Sequence, residues 1–443
     1  MKASALKYPV LMWAATLATI IMVFVPYHAL LTVWLSTATG HYTALRLWKE
    51  VLLVVISLGV TYLLLTDAKI RTHTLTRRLV WLVLGYVGLQ LLLGALSLRT
   101  GTVTLRALGY GLLINLRFLG FFLLVWAIAL RTSRLKNTWL RLLLWPAAGV
   151  VLFGLLQILV LPTDFLRHFG YGANTILPFE TVNSNRDYVR IASTLRGPNP
   201  LGAYLIVPAT ALLVLAFRAP KKWRLSGFLL ATVLVLAASF SRSAVLGLFV
   251  SLATVTLLMA RSPLAKKVTY GLAAGVLLFV IIGGLAVHKS SRLENIVLHT
   301  QTKSAVRTTS NGGHLHSFMT GITDIARQPQ GRGPGTAGPA SVYNRGQARI
   351  AENYFLQIGQ ETGIFGLVMF MVIIGGVGYL LWLRRADPLA LTLFASLVGL
   401  TLVNMLSHAW ADDTLAYVWW GLAGIAMASV PELEAVKVAK RAD

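Results

Sequence analysis

Cysteine is absent from this chain of 443 residues, and acidic residues are scarce, with 15 Asp and Glu against 40 Lys and Arg. The lack of cysteine excludes disulfides, thiolate metal sites and cysteine nucleophiles. Charged residues make up only 12% of the chain, whereas soluble domains carry roughly a quarter. The chain therefore has too little polar surface to cover a water-facing globule, and its 56% hydrophobic content indicates a membrane protein.

Long apolar runs recur along the whole sequence. A helix that crosses about 30 Å of hydrocarbon needs roughly 17–25 residues. We predict spans at 9–36, 47–66, 79–97, 108–130, 139–162, 198–217, 225–240, 244–260, 268–288, 353–383, 389–407 and 415–430. The first run is too long for the core of a signal peptide, so we expect it to stay as an anchor. The predicted fold is all-α, a single transmembrane domain over 1–443 that forms a polytopic membrane helix bundle of about twelve transmembrane helices.

Basic residues indicate which loops face the cytoplasm. If the N-terminus is cytoplasmic, every second loop should be rich in lysine and arginine. The loops that meet this expectation, together with the C-terminal tail, contain Lys69, Arg77, Arg78, Arg131, Arg134, Arg218, Lys221, Arg261, Lys266, Arg384, Arg385, Lys437 and Arg441. Both termini are therefore predicted to be cytoplasmic. This topology places much of the basic excess at the lipid bilayer, with no need for a nucleic-acid partner.

Two predicted outer segments are long, at 163–197 and 289–351. The second joins the ninth and tenth spans, and its apolar residues recur at helical spacing. These residues are Leu315, Phe318, Met319, Ile322, Ile325 and Ala326. They predict an amphipathic helix that lies on the membrane surface or against the bundle. A glycine-rich turn region, GRGPGTAGPAS, follows it.

Several arginines fall at the outer mouths of predicted spans or inside one. Arg186, Arg190 and Arg196 precede the sixth span, and Arg242 lies in the short turn after the seventh. Guanidinium groups bind phosphate oxygens bidentately, so such a cluster suits a diphosphate; the alternative is ordinary contact with lipid phosphates. Arg117 lies inside the fourth span, where a charge is costly. It should face the bundle interior, either to bind a ligand or as a structurally paired group.

Four sequence segments carry a resemblance to a known family. They are LRGPNPLGAYL, FSRSAVLGL, GRGPGTAG and ENYFLQIGQETGIFGL. In the last, nine residues separate Asn353 from a Gly-x-x-Gly group that begins at Gly363. Their order and spacing over roughly residues 185–370, with the predicted topology, resemble the O-antigen ligase and polymerase superfamily of membrane glycosyltransferases. Lipopolysaccharide ligases of this superfamily have histidine where this chain has Glu352, so the chain looks more like the polymerase-type and Gram-positive branches.

The resemblance implies transfer of an oligosaccharide from a polyprenyl-diphosphate carrier to a hydroxyl of a glycan or glycolipid acceptor. The expected place is the outer face of a bacterial cell membrane, and the expected reaction inverts the sugar without a metal or cofactor. Glu352 is then expected to act as general base. Arg190, Arg196 and Arg242 could all stabilise the departing diphosphate, with Arg196 and Arg242 expected to be the catalytic pair. The expected substrate-binding residues are Arg190, Arg186, Asn199, Asn353, His314 and Arg117. Alternatively, Glu352 only caps the helix that follows it.

Two other classes of membrane protein have to be weighed. A transporter or flippase of polysaccharides or lipid-linked sugars would also fit twelve spans with both ends inside. Such proteins often contain internal repeats, and the two halves of this chain show no obvious similarity. A metal-dependent transferase of lipid-linked sugars would place an acidic residue in the first outer loop, 37–45. That loop contains none, and Glu50 appears only inside the second span.

Histidine and aspartate near the outer loops give no metal-binding pattern. His314 and His316 are two positions apart, so they do not share a helix face, and a zinc pair is not expected there. Asp412 and Asp413 share an outer loop with His408, at a spacing that supports no known metal site. The sequence leaves polymerisation and ligation as open alternatives.

Overall fold

The structure is a computed structural model that describes residues 2–182, 185–218, 223–260, 310–346, 348–350 and 352–428, without the side chains of 2–5 and 310–317. Helices dominate these residues, so the predicted all-α membrane bundle is confirmed. The exception is a two-stranded antiparallel hairpin in the outer segment 163–197, in which Thr181 pairs with Val189.

The first part of the chain folds into eight helices. They are α1 (Lys2–Phe24), α2 (His28–Thr39), α3 (Tyr42–Leu45), α4 (Trp48–Thr66), α5 (Ala68–Leu75), α6 (Arg78–Arg99), α7 (Leu105–Ala129) and α8 (Arg134–Leu159). A 3₁₀ turn, Val25–Tyr27, joins α1 to α2. Pro26 in this turn has no N–H to donate, so the α-helical hydrogen-bond pattern is interrupted there. The two helices still form one membrane span, Leu6–Thr39.

The second part begins with the hairpin and continues with seven described helices. They are β1 (Glu180–Val182), β2 (Asn185–Arg190), α9 (Pro198–Arg218), α10 (Trp223–Ala238), α11 (Arg242–Met259), α12 (Ser310–Arg327), α13 (Tyr354–Leu383), α14 (Pro388–Leu406) and α15 (Asp413–Met427). Helix α12 is the predicted amphipathic helix, and it packs against α13. Short 3₁₀ turns occur at Phe165–Phe169, Gly338–Tyr343 and Ala409–Ala411.

Nine helical segments of the described residues are long and apolar enough to cross a membrane. Each corresponds to one of the twelve predicted spans. The seventh predicted span is α10, whose 16 residues extend only about 24 Å at the α-helical rise. The twelfth is α15, with 15 residues. The ninth, 268–288, lies outside the described residues.

Helix α15 lies at the centre of the bundle and is buried along its length. A helix that is apolar all round is typical of a fully enclosed position. Its Trp419 and Trp420 rings contact each other at 5.1 Å between centroids, and Trp420 also packs on Phe118 of α7 at 5.2 Å. This aromatic packing fixes the N-terminal end of α15, where the acidic pair Asp412 and Asp413 begins the helix.

Two pairs of the predicted cytoplasmic loops are in contact within the described residues. Arg131 donates hydrogen bonds to Asp67 at 2.8 and 3.0 Å. These bonds join the segment between α7 and α8 to the segment between α4 and α5. Arg218 donates to the carbonyl oxygen of Ala386 at 2.7 Å. These contacts agree with the predicted alternation of loops, while the cytoplasmic assignment of these loops remains a prediction.

Helix α13 is interrupted at Gly363, where φ is +70° and ψ is −172°. The glycine-rich segment replaces the hydrogen bonds lost at this break. The N–H of Ile364 donates to the carbonyl oxygen of Pro329 at 2.9 Å, and the N–H of Gly333 donates to that of Glu361 at 2.8 Å. A Cβ at Gly363 would lie 2.1 Å from the Pro329 oxygen, so only glycine fits. The break is therefore where the outer loop docks into the bundle.

Candidate active site

Arg190 is held by three groups at the end of the bundle that is predicted to face outward. Its Nε donates to the carbonyl oxygen of Ser239 at 3.0 Å, and its Nη2 donates to Asn199 Oδ1 at 2.6 Å. Its Nη1 lies 3.4 Å from Glu180 Oε2. Burial lowers the pKa of Arg190, and the Glu180 carboxylate partly offsets this. A guanidinium starts from a pKa above about 12, so Arg190 stays charged at neutral pH.

Arg242 and Glu352 meet at the same place. Ser239, which accepts from Arg190, belongs to the tight turn between α10 and α11, and Arg242 is the first residue of α11. Arg242 interacts electrostatically with the like charge of Arg190 and the opposite charge of Glu352. The fold thus brings together one residue from β2, one from α11 and one from the start of α13. The result is a site with two guanidinium groups and one exposed carboxylate.

Backbone strain marks the same region. Among the described residues, three that are not glycine have a positive φ: Ser193 at 50°, Phe240 at 49° and Glu352 at 50°. Each is a site residue or lies within three positions of one. Such conformations cost on the order of 1–3 kcal/mol and tend to cluster at functional sites. Their grouping here supports a functional role for this end of the bundle.

The capping role considered for Glu352 belongs to Asn353. The Oδ1 of Asn353 accepts from the N–H of Leu356 at 3.0 Å, which caps α13. Its Nδ2 donates to the carbonyl oxygen of Met405 at 2.9 Å, near the end of α14. Asn353 is buried and uses both amide atoms inside the protein. These bonds fix the backbone next to Glu352. Contact between Asn353 and the substrate remains a prediction.

Arg196 lies in a different charged cluster from Arg190 and Arg242. It forms a long ion pair with Asp412, at 3.9 Å, and its side chain is 53% exposed. Burial raises the pKa of Asp412, and the Arg196 charge opposes that effect. Asp412 caps α15 by accepting from the N–H of Thr414 at 3.0 Å. The sequence predicted that Arg196 and Arg242 act together, and the structure brings Arg190 rather than Arg196 to the Arg242 turn.

A buried charge network lies between α4, α7 and α15. Arg117 forms an ion pair with Asp413 and lies 3.5 Å from Glu50. Lys49 Nζ lies 2.8 Å from Asp413 and 3.2 Å from Glu50, and His28 Nε2 lies 3.6 Å from Asp413. Of the two roles predicted for Arg117, the structure shows the paired one. Intramembrane charges are expensive unless they are paired, so this network must form as a unit.

The importance of Glu361, in the middle of α13, is not evident from the sequence. Glu361 is buried, and its Oε1 accepts from the N–H of Gly335 at 2.8 Å. Its Oε2 accepts from Asn115 Nδ2 of α7 at 2.6 Å. Glu361 therefore joins the glycine-rich loop to two helices. The sequence does contain one indication of this role, which is an acidic residue inside the apolar run 353–383. A buried acid needs hydrogen-bond donors around it.

The remaining predicted residues are placed as follows. Arg186 is exposed on β2, and Asn199 is exposed in the first turn of α9, where it accepts from Arg190. His314 lies in α12, and its side chain is outside the described part of the structure. Over the described residues, no group of three or more His, Asp or Glu side chains is arranged to hold a metal ion. Metal independence remains a prediction from the resemblance.

Comparison with known families agrees with the site geometry. Residues 227–371 match the family model described as O-antigen ligase, which confirms the predicted resemblance to the O-antigen ligase and polymerase superfamily. The matched segment includes the Arg242 turn, Glu352 and the break at Gly363. A domain of this family indicates a membrane glycosyltransferase of O-antigen ligase or polymerase type in general. No curated protein matches the chain.

Proposed function

We propose that the protein transfers an oligosaccharide from a polyprenyl-diphosphate carrier to a sugar hydroxyl of a glycan or glycolipid acceptor. The reaction takes place at the outer face of a bacterial cell membrane. The observation that carries the proposal is that Arg190 is bonded to the turn before Arg242, and that Arg242 lies within electrostatic range of both Arg190 and Glu352. Two fixed positive charges beside a carboxylate meet the two needs of this reaction, which are stabilisation of a diphosphate and removal of a hydroxyl proton.

The arginines act on the leaving group. The bond between the anomeric carbon and the diphosphate oxygen breaks with its electron pair on that oxygen, so negative charge grows on the diphosphate. Arg190 is already fixed by its bonds to Ser239 and Asn199 before the reaction, and Arg242 begins α11 beside the same turn. Preorganised charges of this kind are often the largest catalytic term. Arg190 thereby takes the role that the sequence suggested for Arg196. Arg196, beside Asp412, lies where it can contact a more distant part of the substrate.

Glu352 acts on the acceptor. The acceptor oxygen attacks the anomeric carbon from the face opposite the diphosphate, and its proton passes to the carboxylate of Glu352. Attack from the opposite face inverts the anomeric centre. Asn353 holds the backbone next to Glu352 through Leu356 and Met405. Glu352 itself has a positive φ of 50°, a costly conformation that the surrounding structure has to maintain.

Reconstitution into liposomes with a lipid-diphosphate oligosaccharide tests this function directly. The proposal predicts consumption of the donor, release of the free lipid diphosphate and a new glycosidic product, either a ladder or a single adduct. A transporter or flippase would move the donor across the bilayer and leave the bond to the diphosphate intact. Donor movement without cleavage would therefore contradict the proposal. A ladder would show polymerisation, and a single adduct would show ligation.

A further inference from the structure

A cavity of about 610 Å³ opens beside the glycine-rich loop. Its lining comes from α12, from the segment between Arg332 and Ile350, and from Gln360 on α13. Pockets for ligands typically have volumes of about 300–1,000 Å³, so this one has room for several sugar rings. Most of its lining side chains carry hydroxyl, amide or guanidinium groups. Membrane-facing or lipid-binding cavities are lined by apolar groups instead.

The floor of the cavity is a fixed polar cluster. Asp324 of α12 accepts from Arg332 Nη2 at 3.1 Å and from Gln360 Nε2 at 3.0 Å. Gln360 is only 5% exposed, and its Oε1 has no hydrogen-bond partner among the described residues. The buried Nε of Arg332 also has none there. Both atoms are shielded from solvent, so they make the floor of the cavity polar without themselves facing its open space.

The charges around the cavity favour an acidic ligand. Asp324, its acidic lining residue, is neutralised by Arg332. Arg345 and Arg349 also line the cavity and are exposed. Two further guanidinium groups therefore face the space without an acidic residue of the lining to balance them. Such groups bind carboxylate and phosphate bidentately.

The cavity also lies next to the candidate active site. Arg349 and Ile350 line it, and Ile350 precedes Glu352 by two residues. A chain bound in the cavity would extend along this edge toward Glu352. The N–H of Gly338 donates to the carbonyl oxygen of Arg349 at 2.7 Å, so this edge is held against the glycine-rich loop.

We propose that this cavity is the binding site for the acceptor glycan and that it selects an oligosaccharide bearing carboxylate or phosphate groups. The role of the bound glycan as acceptor rests on the function proposed above. The binding of an acidic glycan in the cavity is independent of that function. The hydroxyl of Thr320 and the amide of Gln328, which also line the cavity, hydrogen-bond to sugar hydroxyls. Arg345 and Arg349 bind the acidic substituents.

The test measures binding of free oligosaccharides to the purified full-length protein in detergent, without carrier lipid. The probes are a tetrasaccharide of alternating glucuronic acid and N-acetylglucosamine and a neutral tetramer of N-acetylglucosamine. We expect tighter binding of the acidic probe, weakened by added salt. The double variant R345Q/R349Q should lose about tenfold or more in affinity for the acidic probe. R327Q is the matched control, because Arg327 ends α12 and is exposed but does not line the cavity.

Equal affinity for the two probes, no measurable binding of either, or the same loss in R327Q as in R345Q/R349Q would overturn the proposal. Failure of this site is distinguishable from failure of the proposed function. If the donor is cleaved normally but acidic glycan does not bind, the cavity is not the acceptor site. If acidic glycan binds through Arg345 and Arg349 but the donor is never cleaved, the binding site stands and the transferase function fails.

Discussion

Arg190 donates a hydrogen bond from Nε to the carbonyl oxygen of Ser239 at 3.0 Å. This bond ties the hairpin in the outer segment to the turn that carries Arg242. The backbone supports it, because the N–H of Ile191 donates to the carbonyl oxygen of Ala238 at 3.3 Å. Residues from two distant motifs are thereby fixed relative to each other before any substrate arrives.

Binding of the carrier diphosphate should depend on both arginines that meet at this turn. Replacing either Arg190 or Arg242 by Ala removes a charge-assisted contact worth on the order of 1.5–3 kcal/mol. Lysine at either position should restore only part of the loss, because it cannot bind bidentately. Titration of purified variants with a polyprenyl diphosphate measures the effect.

The variant R196A tests whether Arg190 or Arg196 acts with Arg242 on the carrier diphosphate. If Arg190 and Arg242 form the diphosphate site, R196A should bind the carrier more tightly than R190A does. If R196A loses carrier affinity while R190A keeps it, the pairing of Arg196 with Arg242 predicted from the sequence is right and the present assignment is wrong.

Asp413 is expected to hold the buried charge network together. D413N removes one of the two carboxylates that Lys49 and Arg117 share and leaves them only Glu50 among the described residues. Breaking a buried pair typically costs about 3–5 kcal/mol. The variant should unfold at a clearly lower temperature in detergent. D164N is the control, because Asp164 forms an exposed pair with Arg167 at 3.8 Å and should change stability little. Similar melting temperatures for the two variants would contradict the proposed importance of the network.

The break in α13 should tolerate no side chain at Gly363. In G363A the new Cβ meets the Pro329 carbonyl oxygen, and the backbone there is one that alanine rarely adopts. We expect undocking of the glycine-rich loop, seen as faster proteolysis of the segment between α12 and α13. G375A on the same helix is the control, since nothing lies within 4 Å of its Cβ position. Equal protease resistance of the two variants would show that the loop does not depend on the break.

Asp67 gives a prediction about pH at the end of the bundle predicted to be cytoplasmic. Burial opposes its ionisation, but hydrogen bonds from Arg131 and from the N–H groups of Ile70 and Lys69 hold its pKa below the ordinary value. A carboxylate with a lowered folded-state pKa adds stability above its unfolded pKa of about 3.9, and that stability is lost as the pH falls through the folded value. D67N should therefore be less stable than the parent at neutral pH, by on the order of 1 kcal/mol after allowance for the partly exposed Arg131.

The difference between D67N and the parent should start to shrink as the pH falls below about 4, where the carboxylate of the unfolded chain takes up its proton. It should vanish only below the lowered folded-state pKa, where the folded parent is protonated too. Melting temperatures measured between neutral and acidic pH check this. A difference that grows on acidification would contradict the assignment. Asn also caps helices well, so the substitution changes the ion pair more than the cap of α5.

Much of the fold could be predicted from the sequence because membrane spans follow from apolar length. The nine long helices agree with predicted runs since a helix in hydrocarbon must satisfy its own backbone hydrogen bonds. The hairpin Glu180–Arg190 and the division of the first span at Pro26 were not predicted. Both depend on tertiary contacts of a few polar residues, which leave no periodic pattern.

The candidate site was predicted in its parts but not in its pairing. Arg190, Arg196 and Arg242 were all selected as basic residues at outer mouths, and the sequence cannot show which of them the turns bring together. Asp413 was noted only for a possible metal site, and Glu50 only as an acid inside a span. Their role as partners of Lys49 and Arg117 depends on contacts between helices far apart in the sequence.

The most direct test of the central claim is the transfer rate of E352Q in the reconstituted assay with the lipid-diphosphate donor. Glutamine keeps the shape and the same backbone preference as glutamate but cannot accept the proton. A positioned base typically contributes about 10²–10⁴-fold, so E352Q should be slower by that order, with carrier binding and melting temperature unchanged. E352H should retain part of the activity, because imidazole can also accept the proton.

D187N provides the matched control, since Asp187 is an exposed carboxylate on β2, the strand that also carries Arg190, and should leave the rate unchanged. We expect E352Q to be fully folded and to transfer the oligosaccharide slowly, and D187N to transfer it at the normal rate. A folded E352Q that transfers the oligosaccharide at the rate of the parent protein would contradict this expectation and would remove Glu352 from the reaction.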